Sequence, residues 1–213
     1  MTPISQLKTD VEANQIEFNL YKDKLYINKQ GTTKPITFEL TNINDMLKAP
    51  FGVSSKFSAE AVNSSLELTP NAEIENTLKV LFDRLTDEAA KHSQELFGKH
   101  ISKTQLEQCF SNPLRKSEKG DLLRIKVADD CPIHELKHQT EAGLQVEDTK
   151  LSSIGRGTLV TGKIRLSPVW HMKRRGELDQ WGVSLHADRL LIEQPGQPEQ
   201  TEDDASFGGL NFI

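Results

Sequence analysis

Apolar and polar residues alternate along both ends of this 213-residue chain, and one strongly helical stretch interrupts them. A period of two sends successive side chains to opposite faces of a strand, so such segments have one face to bury. Ile16, Phe18 and Leu20 share a face, and Leu25 and Ile27 repeat it after a Lys-Asp-Lys turn. Ile36-Thr37-Phe38-Glu39-Leu40 alternates next, after Gly31. Ala49-Pro50-Phe51-Gly52 reads as a turn, and VSSKF and Ser65-Leu66-Glu67-Leu68 as short strands. Past the helical stretch the pattern resumes in Leu122–Val127, Thr158–Leu166, Trp181–His186 and Leu190–Ile192.

Ile74, Leu78, Leu81, Phe82, Leu85, Ala89 and Leu96 recur at helical steps after Thr69-Pro70-Asn71, and Gly98 marks the stop. A second helix is predicted from Ser102, where Ser102 and Gln105 fit a capping box, with Ile101 and Leu106 as its staple. Strands, a helical insertion, then more strands predict a mostly β or α+β fold, not an alternating α/β one. The polar residues 1–15 read as a flexible N-terminus, residues 16–193 as one domain, and residues 194–213 as a tail.

The chain is 36% hydrophobic and 27% charged, as expected of a globular domain. It holds no apolar run of membrane-spanning length, and its start has neither a basic nor an apolar signal region. Cys109 and Cys131 give no disulfide framework. These features predict a cytoplasmic protein with no cofactor.

A net charge of -5 argues against a nucleic-acid binder until its distribution is considered. Glu199, Glu202, Asp203 and Asp204 lie in the tail, which has no Lys or Arg. Elsewhere cations cluster. Gly162–Gly176 holds Lys163, Arg165, Lys173, Arg174 and Arg175 with no acid, and Pro113–Val127 holds Arg115, Lys116, Arg124 and Lys126 among its bases. Both tryptophans fall in the stretch from Gly162 to Ile192. Rings that stack on bases, beside cations that hold phosphates, are what a single strand of nucleic acid requires.

Trp181 precedes Gly182 and an alternating strand, which points to the core. Trp170 follows Pro168 and adjoins His171 and Lys173, which points to a contact residue. Phe51 and Phe57 flank Lys56 and are further stacking candidates.

His134-Glu135-Leu136-Lys137-His138 matches the H-E-x-x-H pattern of zinc peptidases, which requires a helix to put both histidines on one metal. Pro132 and the short run before Gly143 fit a strand and turn better. Cys131, His134 and His138, with Cys109, are an alternative zinc-binding set. The acidic tail, with Phe207 and Phe212, can occupy a basic groove in place of DNA or dock on a partner protein. A structural interaction protein acting through that tail is thus a third possibility.

The segment APFGVSSKF followed by SLEL, the helix between β segments, the closing GTLVTGKIRLSPVW and WGVSLHADRLLI, and the acidic tail with a near-terminal Phe carry a family likeness. The chain resembles the OB-fold single-stranded DNA-binding proteins of phages and large DNA viruses, the group typified by the T7 single-stranded DNA-binding protein. The resemblance implies a five-stranded Greek-key barrel with helices between strands. It implies non-catalytic, sequence-independent coating of single strands in replication or recombination, in an infected host's cytoplasm. Stacking would fall to Phe51, Phe57 or Trp170, and phosphate contacts to Lys56, Lys163, Arg165 and Lys173 to Arg175. It further implies that Asp203, Asp204, Phe207 and Phe212 engage replication or recombination proteins, and that some members dimerise.

Overall fold

In a computed structural model, the described residues are 3–22, 24–54, 63–118, 120–140, 143–172 and 180–195. The chain opens with α1 (Ile4–Glu12), then β1 (Ile16–Tyr21), β2 (Lys24–Lys29), β3 (Thr37–Glu39), β4 (Leu47–Lys48), β5 (Val53–Ser54) and β6 (Asn63–Leu68). Three helices follow, α2 (Ala72–Lys91), α3 (Ser93–Phe97) and α4 (Lys103–Cys109). Then come β7 (Phe110–Ser111), β8 (Leu114–Arg115), β9 (Leu122–Ala128), β10 (Ile133–Thr140) and β11 (Gly143–Thr149). The last strands are β12 (Leu159–Leu166), β13 (Trp170–Met172), β14 (Gln180–Gly182) and β15 (Leu185–Glu193). The fold is therefore mostly β, with its main helices inserted between β6 and β9.

The principal sheet carries ten strand segments among the described residues. β15 is its pivot. It pairs with β12 along nearly its full length, and on its other edge with β9 at His186 and with β10 from Leu190 to Ile192. β9 pairs antiparallel with β6, and β6 with β5. β12 meets β3 and β4 on its far edge. Backbone bonds from Ala49 N to Thr158 O (2.8 Å) and from Thr69 N to Lys48 O (2.9 Å) tie the β4 corner both to the start of β12 and to the end of β6.

Alternation sorts the side chains as the period requires. Leu123, Ile125 and Val127 of β9, Leu66 and Leu68 of β6, Ile164 and Leu166 of β12, and Leu185 and Ala187 of β15 are buried. Ile74, Leu78, Leu81 and Leu85 of α2 belong to the same core. Asn71 caps α2 by accepting from Ile74 N (2.9 Å), and Ser102 and Gln105 form the predicted capping box of α4.

Three expectations change, and the strand preferred for HELKH is found. Residues 3–12 are not a loose lead-in: Ile4, Leu7 and Val11 lie at helical spacing on the buried face of α1, and Arg84 of α2 donates to Val11 O (2.6 Å). The long helix breaks at His92 into α2 and α3, and Gly98 ends α3 in the left-handed conformation. Trp181–His186 is not one strand but the junction of β14 and β15. HELKH lies on β10, a strand paired with β11, so the one-turn helical spacing that a zinc peptidase needs is not formed.

The β12–β15 pairing contains an irregularity after Lys163, where Asp188 of β15 is left without a counterpart. Gly162 sits beside it with φ +157°, and a Cβ there would collide with the Arg189 carbonyl and lie 3.0 Å from Leu190 Cα. Gly162→Ala should therefore destabilise the fold by about 2–3 kcal/mol, because backbone must move rather than a flexible side chain. Urea unfolding should show this as a lower midpoint with an unchanged slope.

Candidate nucleic-acid interface

The outward faces of the same strands build the site. Arg165 of β12 pairs with His186 of β15, His186 with Lys126 of β9, Lys126 with Ser65 of β6, and Ser65 with Ser54 of β5. Thr37 of β3 completes the row opposite Arg165. Directly paired residues point to one side of a sheet, so this is a polar stripe crossing six strands, about 24 Å at the usual inter-strand spacing.

Arg124 stands two residues before Lys126 on the same face, and these two form one wall of a cleft of about 210 Å³. Trp170, Ser111, Asn112, Pro113 and Val183–Leu185 complete it. Trp170 comes from β13, paired with β14 so that Trp170 lies opposite Gly182. A side chain at Gly182 would approach the Trp170 ring at 3.2 Å, so the bare glycine leaves room for the indole. Trp170 is half-buried, and its Nε1 has no hydrogen-bond partner among the described residues. Ser65 Oγ, in the stripe opposite Lys126, is in the same condition. Buried polar atoms without partners are uncommon enough to require a reason.

The electrostatics of the stripe are positive but internally restrained. Glu67 Oε1 takes Arg115 at 3.1 Å and Arg124 at 2.9 Å, and Arg165 is held by Asp188 at 3.0 Å. Lys126 has no carboxylate partner among the described residues, and desolvation by its surroundings draws its pKa below the ordinary lysine value. Burial lowers the pKa of His186, and the charges of Lys126 and Arg165 on either side push it the same way, against a smaller opposing effect of Asp188. The neutral form of His186 is thus favoured, in a cationic setting that an anion would relieve.

The sequence-predicted residues divide by position. Arg115, Arg124, Lys126, Arg165 and Trp170 come together around the stripe and cleft. Lys163 lies on the same face of β12, opposite Glu39 and Arg189. Phe51 is 62% exposed at the corner leading into β5, three residues before Ser54. His171 points away from Trp170 and makes an edge contact with Phe97 of α3 (5.8 Å). Lys116 lines a separate groove along α2, with Lys79 and Asp83. Lys56, Phe57, Lys173, Arg174, Arg175, Asp203, Asp204, Phe207 and Phe212 lie outside the described residues. Trp181 is fully buried, packed on Phe97 and Phe110, with Nε1 donating to Leu106 O at 2.8 Å.

His186 and Ser65 were missed by sequence reasoning. Each alternates with buried residues, Leu185 and Ala187 for one and Ser64 and Leu66 for the other. That signal puts them on the outer face but does not reveal their neighbours.

The zinc candidates fare differently. His134 Nδ1 lies 2.8 Å from Asp148, and burial, followed by Asp188 and Asp130, pushes the Cys131 thiol up to about 11. Among the described residues no group of three His, Cys, Asp or Glu could hold a metal, and no helix is long and apolar enough to cross a membrane.

No protein-family model matches the chain, and no curated protein matches it in sequence. Among solved structures it is similar to the single-stranded DNA-binding protein from bacteriophage Enc34, at 10% identity and a TM-score of 0.39, covering 88% of this chain and 94% of that one. A C-terminal truncation of that protein gives 10% identity and a TM-score of 0.40 over 89% and 99% of the two chains. The Enc34 protein in complex with single-stranded DNA gives 10% identity and a TM-score of 0.39 over 85% and 94%.

His186 makes stability depend on pH. Its folded-state pKa lies below the ordinary 6.5, so above that value neither the folded nor the unfolded form is protonated there. As pH falls through 6.5 the unfolded chain takes up a proton that the folded site resists. Stability should therefore drop until the pH is below the folded pKa, then level off. His186→Gln should reduce the part of this loss that sets in as pH falls below 6.5, measured by urea unfolding across the range.

Proposed function

We propose that this protein binds single-stranded DNA without sequence specificity and by binding alone, with no catalytic step. The observation that carries the reading is the row Arg165–His186–Lys126 running to a cleft walled by Trp170 and Arg124. Cations in a groove with an aromatic platform at its edge suit a flexible strand whose bases are free to stack. A double helix presents its bases already stacked and offers no such ring face.

In this reading the core of the domain is an OB-fold barrel of the phage single-stranded DNA-binding kind. Its first strand is the bent segment β3–β4–β5, its second and third are β6 and β9, and its fourth and fifth are β12 and β15. The pairings support this order: β5 with β6, β6 with β9, β9 parallel to β15, β15 with β12, and β12 back to β3 and β4. OB-folds take oligonucleotides on the face of strands two and three, and on the loops joining strands one to two and four to five. The face is that of Ser65, Arg124 and Lys126. In sequence, Lys56 and Phe57 fall between the first and second of these strands, and Trp170 and Lys173 to Arg175 between the fourth and fifth.

The biological role that follows is coating of single strands during viral DNA replication or recombination, in the cytoplasm of the infected host. The acidic tail, with Asp203, Asp204, Phe207 and Phe212, competes for the cationic face or docks on replication or recombination proteins. Dimerisation is compatible with this arrangement.

Tryptophan emission tests the reading. Adding oligo-dT should quench it in the wild type and in Trp181→Phe, but not in Trp170→Phe. Trp170→Ala should weaken binding about 5- to 150-fold, the loss of one stacked base. Binding unchanged by both Trp170→Ala and Lys126→Ala would remove the cleft from the account.

A further inference from the structure

We propose that the tip of the β1–β2 hairpin is a second contact for single-stranded nucleic acid, continuing the path beyond Trp170. The inference rests on the reading of the cleft as a single-strand site and extends it to a surface on the other side of the connecting segment.

The hairpin has two faces with different uses. Ile16, Leu25 and Ile27 are buried in the core, with Phe18 and Leu20 packed against it. The register places Tyr21 opposite Lys24, Asn19 opposite Tyr26 and Glu17 opposite Asn28 on the other face. Both tyrosines of the chain are therefore on one face of one hairpin. They border an open depression of about 520 Å³ with Asn19, Asn28 and residues 31–33.

Tyr21 is 60% exposed, and the Lys22 ammonium lies 5.2 Å from its ring centre. Lys22 adopts a left-handed backbone (φ 47°) in the turn, which is uncommon for a residue other than glycine. The turn thus places two lysines, 22 and 24, around an exposed ring. An exposed tyrosine in this position contributes little to the core. It offers a flat face for a base, while the adjacent ammonium groups suit phosphates.

Position links this face to the cleft. Val169 N donates to Leu25 O at 2.8 Å, so the residue before Trp170 is bonded to the backbone between Lys24 and Tyr26. This backbone bond joins the hairpin to the segment that carries Trp170.

The test compares oligo-dT of ~4 and ~16 nucleotides, the range of site sizes for one OB-fold. The full chain is used, as wild type and as the triple variant Tyr21→Ala/Lys22→Ala/Lys24→Ala. Thermal melting confirms that the variant is folded, as the exposure of its three positions leads one to expect. The variant should bind the short oligomer as the wild type does and lose about 5- to 150-fold in affinity for the long one. Tyr21→Phe, which keeps the ring, should retain long-oligomer binding. Equal affinity of wild type and triple variant for the long oligomer, with Trp170→Ala still weakened, would overturn the hairpin contact and leave the cleft standing. Absence of wild-type binding at either length would overturn both.

Discussion

β15 is held on one edge by β12 and on the other by β9 and then β10, and the cationic row of the candidate site depends on that register. His186 is placed between Arg165 and Lys126 by pairing alone. A slip of one residue would turn His186 inward and bring Leu185 or Ala187 to the surface. The buried alternation of Leu185, Ala187, Leu190 and Ile192 prevents that slip, and the irregularity at Asp188 keeps the apolar set inward on both sides of it. Packing on the inner face thus fixes the chemistry on the outer one.

The outer face gathers like charges, which is unfavourable in the free protein. Two means of restraint are visible. Glu67 and Asp188 hold three of the arginines, and burial with the neighbouring cations draws the pKa of His186 down. Phosphates entering the cleft would meet ion pairs able to exchange partners, one lysine with no carboxylate partner among the described residues, and one histidine able to regain its charge. Under the proposed function, such a surface is neutralised enough to fold and cationic enough to take up phosphates. The overall charge of -5 conceals it, because the four acids of the tail lie elsewhere in the sequence.

Much of this was legible in the sequence where the signal is local. The alternation of Leu122–Val127 and Thr158–Leu166 yielded β9 and β12, and Ser102 with Gln105 yielded the start of α4. The contrast between Trp170 and Trp181 was legible too, from Pro168 on one side and Gly182 on the other. Other features depend on distant partners. In α1, Ile4, Leu7 and Val11 are hidden in a polar run and acquire meaning only against α2. Glu67 reaches Arg115 and Arg124, 48 and 57 residues further along the sequence, and no spacing rule reveals it. HELKH satisfies a helical motif pattern, but Pro132 and the short run before Gly143 already favour the strand that β11 and β15 partner. His171, adjacent to Trp170, is on the opposite face for the elementary reason that strands alternate.

The central claim is that a cationic stripe and an aromatic wall receive a single strand, and salt dependence tests it most directly. Affinity for oligo-dT, measured from low to physiological ionic strength, should fall linearly on logarithmic axes. Replacing one stripe cation that meets a phosphate should reduce the slope by about 0.7. Single strands should bind more tightly than duplex of the same length throughout the range. A binding curve indifferent to salt, or equal affinity for duplex and single strand, would contradict the account.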